Sequence, residues 1–150
     1  MPSLKVTHLS AVARSRLFTV TLQTPLLEAA QKLTAAQIGL VVVCDADGVM
    51  AGVVSKSDIV RQIGHCLGSA CQTLARDLMT VDVFYCHPGD CLADVLTAME
   101  QRGLVHAPLL DGERRPIGVV NARDALRALV QAGEYEATLL REYVMGIGYH

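Results

Sequence analysis

Two places in the chain pair a small polar residue with an aspartate three positions on: Ser55 with Asp58, and Asn121 with Asp124. Each pair follows a Gly-Val-Val run, at 52–54 and 118–120, and each opens a stretch with helical spacing. Taken singly, such a pair is a helix cap, in which a side-chain oxygen and an acid at the third helical position satisfy orphan amides. The recurrence of the whole arrangement in one register adds a second chemistry. A carboxylate one turn into a helix can accept from ribose hydroxyls, while hydroxyls and helix-start amides receive phosphate oxygens.

Other chemistries find less support. There is no nucleophile-elbow serine, no HExxH and no GxxxxGK loop. Asp58 and Asp124 belong to separate, symmetry-related places rather than to one catalytic carboxylate pair. A binding protein is expected, not an enzyme. The five cysteines, Cys44, Cys66, Cys71, Cys86 and Cys91, form no disulfide ladder and read as reduced thiols. His65 with Cys66 and Cys71, or His87 with Cys86 and Cys91, lack the CxxC spacing of a tetrahedral site, so no metal is expected.

The elements that must carry these residues are written twice. An offset of 66 lays residue 52 on residue 118, and with it Leu26 on Leu92, Asp45 on Asp111 and Arg61 on Arg127, without a gap. An internal repeat marks a unit that cannot bury its apolar face alone. Each copy reads as strand, helix, strand, strand, helix. In the first, 17–21 is a short β-prone run, and Thr24-Pro25 should cap a helix whose stripe is Leu26, Ala29, Ala30 and Leu33. Residues 40–44 form a continuous apolar strand, 45–48 a hairpin turn and 49–54 the return strand, with Ser55 capping a helix to about Ile63. In the second copy, 83–86 is the first strand, Asp90 the cap, and Leu92, Val95, Leu96 and Met99 the stripe. Strands at 106–110 and 116–120 follow, with Asn121 capping the last helix.

Residues 1–72 therefore hold an N-terminal segment, a first repeat with its core at about 17–64, and a polar linker. Residues 73–132 hold the second repeat, opening on a capped helical turn at 73–79, and 133–150 an amphipathic helix with an apolar tail. The fold class is α+β, two βαββα units packed pseudo-twofold through their small sheets into one compact module.

At 150 residues and 51% apolar content the chain can build one real core. A net charge of −2 offers no general attraction to nucleic acid. No apolar run reaches the roughly 18 residues of a membrane span, and the N-terminus has no signal-peptide pattern. A cytoplasmic location follows. Leu26, Leu33, Leu92 and Met99 lie on stripes that small sheets would cover only in part, which points to a homodimer.

Order, spacing and doubling together resemble a tandem CBS-domain protein, a Bateman module. The family's strand ending in Val-Val-Asp, turn and Gly-Ile-Val-Ser/Thr-x-x-Asp appear here as Val42-Val43-Cys44-Asp45 with 52–58, and Pro108-Leu109-Leu110-Asp111 with 118–124. The likeness covers residues 17–130 and implies two clefts for an adenosine-containing regulatory ligand: AMP first, then ATP, NAD or S-adenosylmethionine. It implies a first cleft with Asp58 on the ribose, Ser55 and Ser57 toward phosphate, and adenine among Val53, Leu40, Val105, Val83 and Phe84. It implies a second around Asp124, Arg123 and Asn121, completed by Val119, Ile38, Gly39, His106, Arg14 and Arg16. Asn121 departs from the usual hydroxyl residue, and the arginines should draw more phosphate to that cleft. His106 either lines it or bonds backbone at a strand edge. The partners implied are the nucleotide, a second copy and a regulated protein. The alternatives are a scaffold with vestigial clefts, or a non-catalytic regulatory relative of inosine-monophosphate dehydrogenase.

Overall fold

The computed structural model describes residues 4–35, 38–66 and 73–133, and over 63–66 the backbone alone. The carboxy-terminal helix and tail expected at 134–150, and most of the linker, lie outside the described residues. A 3-10 turn (Val6–Leu9) leads into α1 (Ser10–Ser15), β1 (Thr19–Thr21), α2 (Leu26–Lys32), β2 (Leu40–Cys44), β3 (Met50–Ser55) and α3 (Lys56–Cys66). Then come α4 (Ala75–Leu78), α5 (Leu92–Arg102), β4 (His106–Leu110), β5 (Pro116–Asn121) and α6 (Ala122–Gln131).

The repeat is legible in the pairing register. β2 and β3 run antiparallel with Leu40 opposite Ser55 and Val43 opposite Gly52; β4 and β5 place His106 opposite Asn121 and Leu109 opposite Gly118. The register slips at matching points, between Val43 and Cys44 and between Leu109 and Leu110. All five residues of β2 are buried, because β1 pairs with it in parallel and both sheet faces are covered.

The second copy departs at its first strand. Expected over 83–86, it is reduced to a single parallel bridge between Cys86 and Leu109. In the first copy the Val42 amide donates to the Phe18 carbonyl at 2.9 Å. Pro108 stands in the equivalent place and has no N–H to give, so that rung of the ladder is missing.

The cap residues also act differently from expectation. Thr24 Oγ1 accepts from the Thr21 amide at 3.0 Å, and an Asp90 carboxylate oxygen from the His87 amide at 2.8 Å. Both close the turn at a strand exit, and the N-cap positions fall instead to Pro25 and Cys91, which have no side-chain cap bond.

Among the described residues three apolar clusters form the core. One lies under the first repeat (Val20, Leu26, Ala29, Val41, Val54), and one between the sheets (Leu40, Val42, Val53, Leu110, Val119). The third belongs to the second repeat and takes in Val6, Leu9 and Ala13 from the N-terminal segment beside Leu92, Leu96 and Leu129. The segments are thus crossed: the chain before repeat one packs on repeat two, and Ala75, before repeat two, packs on repeat one. The glycines of the two Gly-Val-Val runs permit this crossing. A Cβ on Gly118 would lie 2.8 Å from that of Ala13, and one on Gly52 would lie 2.6 Å from the Thr80 carbonyl oxygen.

The motive for a homodimer changes here. Leu26, Leu33, Leu92 and Met99 are at most 5% exposed within one chain, so the uncovered stripes expected from their spacing do not exist.

Candidate functional site

The hairpin of each repeat delivers its polar pair to a helix start. At α3 the Ser55 hydroxyl oxygen accepts from the Asp58 amide (3.2 Å), and an Asp58 carboxylate oxygen accepts from the Ser55 amide (2.9 Å). This is a complete capping box. It does not exhaust Asp58, since an ionised carboxylate offers about four lone-pair sites. Arg61, 3.8 Å from its second oxygen, is largely exposed and contributes little.

At α6 the arrangement differs. Asn121 Oδ1 accepts from the amides of both Arg123 (2.9 Å) and Asp124 (3.2 Å). With its oxygen so engaged, Asn121 turns Nδ2 toward His106 Nε2 at 3.1 Å. Nδ2 can only donate, so the His106 Nε2 accepts and the neutral ring carries its proton on Nδ1. Burial above all, helped by Arg16 and Lys56 and opposed by Asp124, lowers the His106 pKa to about 4. The ring lies against Gly39 so closely that a Cβ there would overlap three of its atoms. Asp124 makes no bond back to the cap residue. It receives the Arg16 guanidinium through Nε at 2.5 Å and Nη2 at 3.0 Å, across 108 residues of chain.

Two adjoining cavities open on the Asp58 side. The first, of about 290 Å³, is walled by Leu40, Val53, Val83, Phe84, Leu104 and Pro108, with Ser55, Asp58, Thr80, Asp82, Arg102 and His106 as its polar groups. The second, of about 620 Å³, is lined by Gly39, Lys56, Ser57, Gly103, Val105 and Arg123, and shares Leu40, Ser55, Leu104 and His106 with the first. The Arg123 Nε is itself buried and has no hydrogen-bond partner among the described residues. Together these cavities fall within the roughly 300–1,000 Å³ usual for small-ligand sites.

Most of the expected site is gathered at these cavities, but not as two equal clefts. Arg123, His106 and Gly39, expected around Asp124, line the cavity reached from Ser55 and Ser57. Val119 is buried between the sheets and Ile38 within the first repeat's core, so neither lines these two cavities. Arg14 stands exposed on α1, while Arg16 turns inward to Asp124. Sequence reasoning missed Thr80, Arg102, Leu104, Pro108 and Lys56. The offset could have found Leu104, the counterpart of Ile38, and Pro108, the counterpart of Val42. Arg102 carried no such signal; its guanidinium lies 5.0 Å from the centre of the Phe84 ring, a cation–π contact.

Cys86 and His87, weighed above as metal ligands and set aside, bond to backbone carbonyls. Cys86 is buried against the Pro108 carbonyl, and burial with Asp90 nearby pushes its thiol up to about 12. His87 Nδ1 meets the Leu110 carbonyl at 3.0 Å. Among the described residues no group of three or more His, Cys, Asp or Glu could hold a metal ion. Nor, among them, is any helix long and apolar enough to cross a membrane.

Two repeats in one register, crossed entry segments and a polar pair at the helix start of each hairpin define a CBS-type module, and the comparisons agree. The CBS-domain family model matches the chain twice, at residues 9–65 and 75–131, and the chain belongs to that family. It is 25% identical over 142 residues to an uncharacterized 17.7 kDa protein of Acidianus ambivalens, covering 95% of this chain and 85% of that one. In fold it is similar to the CBS domain pair of protein MJ0100 in complex with 5-methylthioadenosine and S-adenosyl-L-methionine (TM-score 0.72, 21% identity, 87% of this chain and 99% of that one). It is similar also to CBSX2 in complex with AMP (TM-score 0.69, 20% identity, 86% and 98%).

Proposed function

We propose that this chain is a regulatory, non-catalytic module that binds an adenosine nucleotide in the Asp58 cleft. The observation that carries the reading is the pair of connected cavities with Ser55 shared between them and Asp58 lining the apolar one. Adenine fits among Leu40, Val53, Val83 and Phe84, and a ribose diol donates to the free lone pairs of Asp58. Phosphate then points toward Ser57, Lys56 and Arg123, which line the second cavity. CBS pairs of the same fold are seen with AMP, 5-methylthioadenosine and S-adenosyl-L-methionine, which supports an adenosine-containing ligand. AMP is the first choice, with ATP, NAD and S-adenosylmethionine as alternatives.

Regulation would pass from the bound cleft to a partner protein or to a second copy, in the cytoplasm. A homodimer is part of this reading, carried now by Leu27 on α2 and Val60 on α3, which are 50% and 69% exposed. Light scattering that returns a strict monomer at micromolar concentration removes the dimer but leaves the cleft.

Native mass spectrometry of freshly purified protein tests the ligand, since a co-purified nucleotide reports its own mass. Thermal-shift titrations with AMP, ATP, NAD and S-adenosylmethionine complete the test. An added mass, or a concentration-dependent rise in Tm with one of them, is expected. Neither mass nor shift with any of the four would favour a scaffold with vestigial clefts.

A further inference from the structure

We propose that Arg16 acts as an internal ligand of the Asp124 cleft, holding shut a second nucleoside site that its removal would open. The Asp124 cleft is separate from the Asp58 cleft of the proposed function and has its own geometry. Asp124 and Asp58 are repeat equivalents, each able to offer two oxygens to a vicinal diol. In Asp124 both oxygens are taken, by Nε and Nη2 of one guanidinium, and the pair is mostly buried, with 20% of the Arg16 side chain and 10% of the Asp124 side chain exposed. Such charge-assisted, two-point bonds are roughly twice as strong as those a neutral hydroxyl makes. A diol alone therefore loses the competition for this carboxylate.

The arginine is also held in place before any ligand arrives. It follows α1, whose Ala13 is wedged on Gly118 of β5 and packs with Val6 and Leu9 into the second repeat's core. At the 66-residue offset the first cleft has Asp82 where the second has Arg16, so no arginine at that position serves Asp58. One substitution between the copies turns an open acceptor into a closed ion pair.

The experiment is isothermal titration with AMP of four chains: the parent, Asp58→Asn, Arg16→Gln, and the two changes together. The parent should bind one AMP per chain and Arg16→Gln two. Asp58→Asn should lose at least about tenfold in affinity, and the double variant should recover a tight site at Asp124. Two sites in the parent, or no site gained by Arg16→Gln in either background, would overturn the proposal. A parent that binds nothing while Arg16→Gln binds one AMP would refute the Asp58 assignment and uphold the latch. A second readout needs no variant. The Arg16 Nε–H resonance of the parent should persist in its place at saturating AMP, and its loss would show that the ligand displaces the arginine and that the latch does not hold.

Discussion

Asp58 and Asp124 occupy equivalent places, one turn into the helix that leaves each hairpin, yet they keep different company. Asp58 returns a bond to its own cap residue and faces a cavity, whereas Asp124 gives its cap no bond and grips an arginine from the far end of the chain. The difference begins at two positions. Where the first copy has Ser55 the second has Asn121, whose amide side chain reaches on to His106; and where the second copy is served by Arg16 the first is lined by Asp82. A doubled fold thus supplies two hairpins in matching register, and single residues decide which helix start stays open to a ligand.

The largest effect that sharpens this contrast is on pH-dependent stability. His106 titrates near 6.5 when unfolded but near 4 in the fold, where burial, Arg16 and Lys56 disfavour its charge and Asp124 only partly offsets them. Between those values the unfolded chain binds a proton that the folded chain refuses. Stability therefore falls as pH drops from about 6.5 to about 4, by roughly 3 kcal/mol, and this component levels off below. His106→Gln keeps an acceptor for the Asn121 amide and cannot titrate. Urea unfolding at pH 7 and pH 4.5 should show a smaller loss in the variant than in the parent; equal losses would mean His106 is not held neutral.

A smaller effect separates the two aspartates as structural groups. Asp124→Asn breaks a mostly buried, two-point ion pair and should cost about 1.5–3 kcal/mol. Asp58→Asn keeps an oxygen to accept from the Ser55 amide, so its cost should be no more than about 0.5 kcal/mol. Urea midpoints at constant m-value measure both. Equal costs would show that the Arg16 bond adds nothing beyond a cap.

Much of this was legible in the chain. The gapless offset predicts both hairpins, and their registers agree rung for rung because identical spacing places the same alternation on the same sheet face. The missing strand of the second copy was legible too, in Pro108, but only if the proline is weighed as a lost donor. The Arg16–Asp124 bond was legible only in part: the resemblance brings Arg14 and Arg16 to the Asp124 cleft, but with the partners 108 residues apart nothing in the spacing says that Arg16 takes both carboxylate oxygens while Arg14 stays exposed. The buried stripes show the same limit: Leu26, Leu33, Leu92 and Met99 mark apolar faces, but spacing does not say that each repeat's own core covers them.

The most direct test of the account is to titrate AMP into Asp58→Asn and Asp124→Asn beside the parent. Loss of the Asp58 acceptor leaves a bound diol unpaired and should weaken binding about ten- to hundredfold. Asp124→Asn, at a cleft already filled by Arg16, should bind within about threefold of the parent, less than about 0.7 kcal/mol. The reverse pattern, or parent-like binding by both variants, would contradict the assignment of the nucleotide to the Asp58 cleft.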